Sequence, residues 1–545
     1  MKTILLPTLA LSLAAAGGLA AQGPAPGLRL YAPHGTTDTF LLDVNGTVVH
    51  TWPGDKTPGS GVYLEPDGTL LRSGQIPGGP NLGWEGGAIQ RYGFDGQLLW
   101  DFDYTGPEYW THHDIALLPN GNVLAIAWDR MTADEAIAAG RDPALLDRSQ
   151  TDEWLPDAIV EIRQTGPTTG DVVWEWHQMD HVIQDHDPTK ANFGVVADHP
   201  ELLDINYPRT VLTNGEWNHL NSVTYDATTD LIVINSPLQE EFYFLDHSTT
   251  TAEAAGHTGG NYGRGGDFVY RWGNPEAYGR GTPSDKQLFF AHGSYIIPPG
   301  IPGAGNVLVF NNRAGLAVGQ NYSSVVEIQL PATFDLPPAG QAWGPSGFVW
   351  QYTDPTPANF YSWIVSNAER LPNGNTLVCS GAQSWLFEVD PGGQMVWQSR
   401  PPVSPVRELI FQVSYYDRHL WADRESVSAA AGGDVSFGLV AGTTHALSSY
   451  AVLGSASGTG PGFSVGGVNV PLNPDGYMMG LIGALGTPGL ASFAGSLDAL
   501  GNGRASLTLP PLAPLAGLTL HHGFVVLRGT SAKLASNAVP LVFGR

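Results

Sequence analysis

One phrase recurs between residues 39 and 397 and restricts the fold more than any other feature. It runs as a strand, a Gly-containing turn, a second strand, a third strand ending in Val/Ile-x-x-Asp, another Gly turn, and a strand that ends in tryptophan. The clearest copy is Leu371 to Trp397, LPNGNTLVCSGAQSWLFEVDPGGQMVW. Its first half returns as LEPDGTLL from Leu64, LLPNGNVLAI from Leu117, YDATTDLIVI from Tyr225 and IPPGIPGAGNVLVF from Ile297, five copies in all. Its tryptophan-ended half appears six times, closing at Trp52, Trp100, Trp176, Trp272, Trp350 and Trp397. Short β-rich runs punctuated by Gly, Asn and Asp favour strands over helices throughout. Only Thr132 to Gln150 has a helical pattern.

Six ends against five beginnings fit a closed ring. The first element, Thr39 to Trp52, lacks inner strands, while Arg407 to Tyr416 follows the last copy as a spare strand, so the two share a blade. Closure of this kind removes exposed sheet edges. The expected fold is all-β: a six-bladed β-propeller over residues 27–420, followed by a β-sandwich-like domain over 422–545. In the latter, tryptophan disappears and short alternating runs such as VSFGLVAG and FSVGGVNVPL are split by Gly and Pro. No chemistry is legible in that domain, and attachment, for instance to a cell surface, substrate display or export sorting is its expected role. The propeller repeat averages about 65 residues against the roughly 40–50 of compact blades, so insertions are expected. They fall at Asp129 to Leu155, His177 to Glu216 and Ser248 to Gly266. Loops on one rim of a propeller surround its channel and make natural pocket walls.

Charge and targeting narrow the function. There are 51 acidic and 25 basic residues, a net charge of −26, which repels nucleic acid and anionic membranes. The opening MKTILLPTLALSLAAAGGLAA, with Lys2 ahead of an apolar run broken by Pro7, reads as a secretory signal over residues 1–21. A secreted, periplasmic or cell-surface protein with no integral membrane span is expected. The single cysteine, Cys379, excludes intrachain disulfides and thiolate metal clusters.

Three repeats open their inner strand with histidine: Thr111-His112-His113-Asp114, Asn218-His219-Leu220-Asn221 and Ala291-His292-Gly293. In a propeller the innermost strands line the channel, so equivalent positions converge on one mouth. A lone histidine usually caps a strand or satisfies a buried carbonyl. Three at repeat-equivalent positions make a candidate site.

These segments, with LLPNGNVL, WNHLN, Phe310-Asn311-Asn312 and NAERLPNGNTL, resemble the bacterial arylsulfate sulfotransferases, whose fold is a six-bladed propeller. The resemblance spans about residues 27–416. It implies sulfuryl transfer from an aryl sulfate donor to a phenolic acceptor, with no cofactor, through a sulfohistidine on His292. Imidazole suits this because it is a nucleophile that is uncharged near neutral pH. His219 is the expected acid/base at the phenol oxygen, with Asn221 orienting it or binding sulfate and His113 donating to the sulfuryl oxygens. His112, Asn312, Arg313, Asn367 and Arg370 are the further candidates for substrate binding. Two departures stand out. Asn235-Ser236-Pro237 replaces the family's Ser-Ser-Arg segment, removing a guanidinium clamp for sulfate, and Ala291 and Gly293 stand where Gln and Asp are common. Arg313 and Arg370 are the candidate replacements.

The competing class is a secreted binding or surface scaffold that kept the fold and lost the chemistry. A quinoprotein dehydrogenase is a less favoured propeller alternative. No Gly-x-Ser-x-Gly elbow is present, and GRGGD at Gly263 lacks a phosphate-loop context. His177-x3-His181-x4-His186, with Asp180, Asp185 and Asp187, has a spacing compatible with Zn²⁺ or Ca²⁺. An acidic surface loop is the ordinary reading, and no metal is expected.

Overall fold

Residues 23–79, 86–403, 408–529 and 531–544 are described by a computed structural model. Residues 1–21, where a secretory signal is expected, lie outside the described residues. The structure is all-β, as expected, with only short helices.

Between Leu28 and Tyr416 the described strands form six four-stranded antiparallel sheets, with two further two-stranded sheets in the insertions. Their innermost strands are Ile410–Tyr416, Pro58–Leu64, Tyr109–Leu117, Ser222–Asp226, His292–Ile296 and Asn367–Arg370, and each packs on the next in cyclic order, the last on the first. Middle strands such as Leu231–Ser236 (LIVINS) and Val307–Asn311 (VLVFN) are buried on both faces, because each sheet is sandwiched between two neighbours. That is why their sequences are continuous β-branched and aromatic runs instead of alternating ones.

The repeated tryptophan has a structural reason. Each outer-strand indole N–H donates to a backbone carbonyl of the following sheet: Trp52 to Gly93 (3.1 Å), Trp100 to Thr169 (3.1 Å), Trp176 to Gly266 (2.8 Å), Trp272 to Pro345 (2.7 Å) and Trp350 to Pro391 (3.1 Å). The sixth, Trp397, reaches the carbonyl of Val44 at 2.7 Å and so joins the last sheet to the first. A large apolar ring with one polar handle is suited to such a junction, since it fills the gap and satisfies a carbonyl at once.

Thr39–Leu42 and Val48–Trp52 share a sheet with Ile410–Tyr416, through an intervening strand that the repeat does not reveal. This is Leu28–Pro33, paired antiparallel with both neighbours (Leu30 with Leu41 and with Ser414). The expected spare strand, Arg407 to Tyr416, is described as Ile410–Tyr416, and Arg407 lies outside the described residues.

The helical expectation for Thr132 to Gln150 needs correction. It resolves into one short helix, Ala133–Ala138, closed by a Thr132–Glu135 capping box, and one 3-10 turn, Pro143–Leu145. Pro143 breaks the run. A longer helix, Gly476–Gly483, was not anticipated, because GYMMGLIG carries no apolar periodicity. It is begun by Asp475, whose carboxylate accepts from Met478 N–H.

From Leu420 onward two larger sheets share one apolar core that includes Val435, Phe437, Val452, Phe524 and Leu541, and a two-stranded sheet, Phe463–Val465 with Val468–Val470, adds to them. They are not free of the ring. Trp421 is buried in a cluster with Trp52, Leu64, Tyr92 and Val440 and stacks on Phe94 at 5.1 Å. Asp43 accepts hydrogen bonds from the backbone N–H and the hydroxyl of Thr443.

Candidate active site

The three histidines sit where inner strands depart from regular pairing. In Tyr109–Leu117 the register slips between Thr111 and Ile115, and His113 takes φ 51°. His219 takes φ 57°, and Gly293, directly after His292, takes φ 62° beside a slip between His292 and Tyr295. A left-handed conformation costs a residue with a Cβ roughly 1 kcal/mol or more. A bulge at the mouth of the ring re-aims the side chain that follows it.

The rings converge. His113 and His219 are 4.5 Å apart between centroids, and Phe411 packs against both His113 (6.1 Å) and His292 (6.3 Å). His34 also lies close enough to act electrostatically on His113. All three candidate rings are almost fully buried.

Each ring is held by a different partner. Asn312 uses its Nδ2 to donate to the carbonyls of Ser362 and Val365, both at 2.8 Å, which turns its Oδ1 toward His292 Nδ1 at 2.8 Å. Because that oxygen only accepts, Nδ1 carries the proton and Nε2 keeps the lone pair. His219 Nδ1 makes a very short hydrogen bond to the Glu216 carboxylate. His113 Nδ1 meets His112 Nδ1 at 2.7 Å, and His112 Nε2 lies 2.9 Å from Asp157 Oδ1.

Burial drives the histidines apart in proton affinity. It pushes His292 down to about 3, aided by the nearby His219 and opposed by the Asn312 bond. It likewise holds His113 well below the ordinary range, with His219, His112 and His292 adding to the effect. His219 is the exception: burial works against its charge, but Glu216 outweighs it and the pKa is raised. Neighbouring groups with opposed shifts are the arrangement that separates nucleophile from acid.

A cleft of about 1000 Å³ opens beside this cluster, lined by Pro237, Glu240, Tyr207, Lys286, Phe290 and Arg313 among others. Pro237, standing where the family has arginine, therefore shares a cleft with Arg313. Arg209 and Lys286 in the same cleft are ion-paired, with Asp185 and Asp204 and with Glu240 respectively. Arg313 has no ion pair among the described residues. It stacks on Phe290 at 3.8 Å and donates to the carbonyl of Trp363.

Several expected binders are placed otherwise. Arg370 is buried between sheets, paired with Glu327 at 2.8 Å and stacked on Trp350, in the same kind of Arg–Trp contact that Arg91 makes with Trp100. It holds the ring and does not replace the missing clamp. His112 stacks on Trp128 at 4.0 Å and meets the site through its 2.7 Å contact with His113. Asn221 spends its amide on the Ala291 carbonyl and its oxygen on Asn235, while Asn367 is locked to both backbone groups of Val413. Both asparagines join adjacent inner strands. Asn312 positions His292.

Sequence reasoning missed Glu216, Asp157, Phe411 and His34. The Glu216-x-x-His219 spacing was a readable signal; the others meet the site only through the ring. The His177, His181 and His186 spacing does not converge, since the three rings face Asp129, Asp267 and Asp142 respectively.

The fold and this cluster define an all-β protein that buries interacting imidazoles at one end of a ring of sheets. Residues 27–250 match the family described as Arylsulfotransferase (ASST), which bears out the resemblance carried by the motifs. The match takes in His113, His219 and Asn221 and ends before His292. It supports aryl sulfotransferase activity in general, and with it a donor and an acceptor substrate. A search of curated proteins finds no significant match. Among solved structures, a protein of unknown function from Bacteroides caccae is 12% identical, covering 72% of this chain and 99% of its own, with a TM-score of 0.37. The periplasmic gluconolactonase PpgL of Pseudomonas aeruginosa is 12% identical over 71% of this chain and 98% of its own (TM-score 0.35), and a streptogramin B lyase is 9% identical over 72% and 95% (TM-score 0.33). No helix among the described residues is long and apolar enough to cross a membrane.

Proposed function

We propose that the protein transfers a sulfuryl group from an aryl sulfate to a phenol by a ping-pong reaction through His292. The observation that carries this reading is the Asn312 hydrogen bond, which leaves the lone pair of a neutral imidazole on Nε2. In the first half-reaction Nε2 attacks sulfur, the S–O bond to the phenol breaks, and the departing phenolate takes a proton from His219, whose raised pKa suits a general acid. In the second half, neutral His219 removes the proton of an acceptor phenol, whose oxygen attacks the sulfur and restores His292. Arg313 supplies the cation for the sulfate oxygens from the cleft that Pro237 shares. His113, backed by His112 and Asp157, donates on the sulfate side. A non-catalytic scaffold gives no reason for adjacent imidazoles with opposed proton affinities.

In this reading residues 1–21 direct secretion, residues 27–420 are the catalytic propeller, and residues 422–545 form a second domain, packed on the ring, that serves attachment to a surface. The test of activity is turnover of a chromogenic aryl sulfate in the presence of a phenol. His292→Ala abolishes it, and His219→Ala slows it by roughly 10² to 10⁴, the usual weight of general acid–base catalysis. Undiminished turnover by His292→Ala removes the proposal.

A further inference from the structure

A second cluster of side chains lies at the outer edge of the ring, away from the buried histidines. His181 ends the 3-10 turn Gln178–His181 that leads into the long insertion, His257 belongs to the loop after the short helix Thr251–Ala254, and Asp267 precedes the outer strand Tyr270–Trp272. One potential ligand atom from each lies within 4.8 Å of the others. Both His181 Nδ1 and His257 Nδ1 are 2.8 Å from Asp267 Oδ1.

The tautomer of His181 is fixed by its other nitrogen. Nε2 lies 2.8 Å from the carbonyl oxygen of Ala254, which only accepts, so Nε2 bears a proton. In neutral imidazole Nδ1 is then a lone pair, and it points at a carboxylate oxygen. Two electron-rich atoms do not approach to that distance unless a cation, either a proton or a metal, sits with them. An imidazole that donates one N–H to a backbone carbonyl and offers the other nitrogen is the usual outer-shell arrangement of a metal-bound histidine. The surroundings are shaped for this: His181 stacks flat on Trp176, and a Cβ at Gly266 would lie 2.6 Å from its Nε2. His257 is largely exposed, and a cleft of about 490 Å³ that it lines with Asp180 and His199 opens the cluster to solvent.

We propose that His181, His257 and Asp267 bind a divalent transition metal, with Zn²⁺ the best fit. Two imidazoles and one carboxylate suit Zn²⁺, whereas Ca²⁺ and Mg²⁺ prefer all-oxygen sites. With metal–ligand distances of about 2.0–2.2 Å in tetrahedral geometry, ligand atoms sit roughly 3.3 Å apart, so each 2.8 Å His–Asp separation opens by about half an ångström on binding. The fourth position faces the cleft and takes water. The metal fastens the start of the insertion, whose residues Phe193 to Ala197 and Asp204 to Thr210 wall the large cleft, to the neighbouring sheet.

The test uses the full chain stripped with a chelator and titrated with Co²⁺ and, separately, Zn²⁺. The expected result is one equivalent of Co²⁺ with the visible absorption of a four-coordinate site, displaced by Zn²⁺, and a rise in Tm with Zn²⁺. His257→Ala, at an exposed position that leaves the fold intact, weakens binding by more than about 100-fold, beyond the 10–100-fold typical of losing an outer-shell partner. Asp267→Asn does the same. Absence of a one-equivalent cobalt spectrum in the parent protein, or binding unchanged by His257→Ala, overturns the proposal and leaves a hydrogen-bonded His181–Asp267 pair.

Discussion

His292 and Asn312 face each other across 2.8 Å, and the amide of Asn312 is turned by two backbone carbonyls so that only its oxygen meets the ring. The tautomer of the nucleophile is thus set chiefly by Asn312, which follows the strand Val307–Asn311, with the Phe290 carbonyl a second and longer acceptor for the same Nδ1 at 3.3 Å. Asn312→Leu removes the nearer acceptor, leaves only the Phe290 carbonyl at 3.3 Å and so loosens the ring. Turnover of an aryl sulfate should fall on the order of 10²-fold, as for other outer-shell partners, with KM little changed. A loss confined to KM would place Asn312 on the substrate instead.

The pH dependence follows from opposed shifts. His219 titrates above its ordinary value of 6.5, so the acid form that protonates the leaving phenol is present at low pH and disappears as pH rises through the raised pKa. His292, pushed down to about 3, stays neutral over the working range and imposes no acid limb above about pH 4. The profile of kcat/KM for the donor is therefore expected to be flat at mildly acidic pH and to fall on the alkaline side, and His219→Ala abolishes that fall. An acid limb near pH 6.5 that persists in His219→Ala would contradict this assignment.

The same shifts act on stability. Between pH 6.5 and about 3 the unfolded chain protonates His292 while the folded one does not, so its burial costs stability progressively as pH falls through that window. His219 acts in reverse: its extra stability is complete below pH 6.5 and is lost as pH rises through its raised pKa. Thermal unfolding of His292→Phe should be less acid-sensitive than that of the parent between pH 6 and 4.

Ring closure is testable at a single atom. Trp397→Phe keeps most of the apolar volume but removes the N–H that reaches Val44, leaving a carbonyl short of a partner. The expected cost is about 1–2 kcal/mol in denaturant unfolding. Trp421→Ala, at the contact between Phe94 and the second pair of sheets, should cost more, about 3–5 kcal/mol, by opening a cavity in the shared cluster. If Trp421→Ala is neutral, the two parts are independent and the contact is incidental.

The ring was legible because its elements repeat. The outer tryptophans mark sheet junctions, and two of the three histidines, His113 and His292, fall where the register slips. What the sequence could not convey is how side chains are spent across junctions. Arg370, Asn221 and Asn367 look like ligands for an anion, yet each is consumed between neighbouring strands or sheets. Phe411 reaches the site only because the ring closes, and Asp157 only because the bulge at His113 brings His112 to it. Leu28–Pro33 was missed because it carries no turn phrase of its own.

The most direct measurement of the central claim is the mass of the protein quenched during reaction with an aryl sulfate in the absence of acceptor. The account predicts an adduct of about 80 Da, one sulfuryl group in place of a proton, mapped to His292, discharged on adding a phenol and missing in His292→Ala. Turnover with no adduct under any acceptor-free condition, or an adduct that maps to another residue, would contradict it.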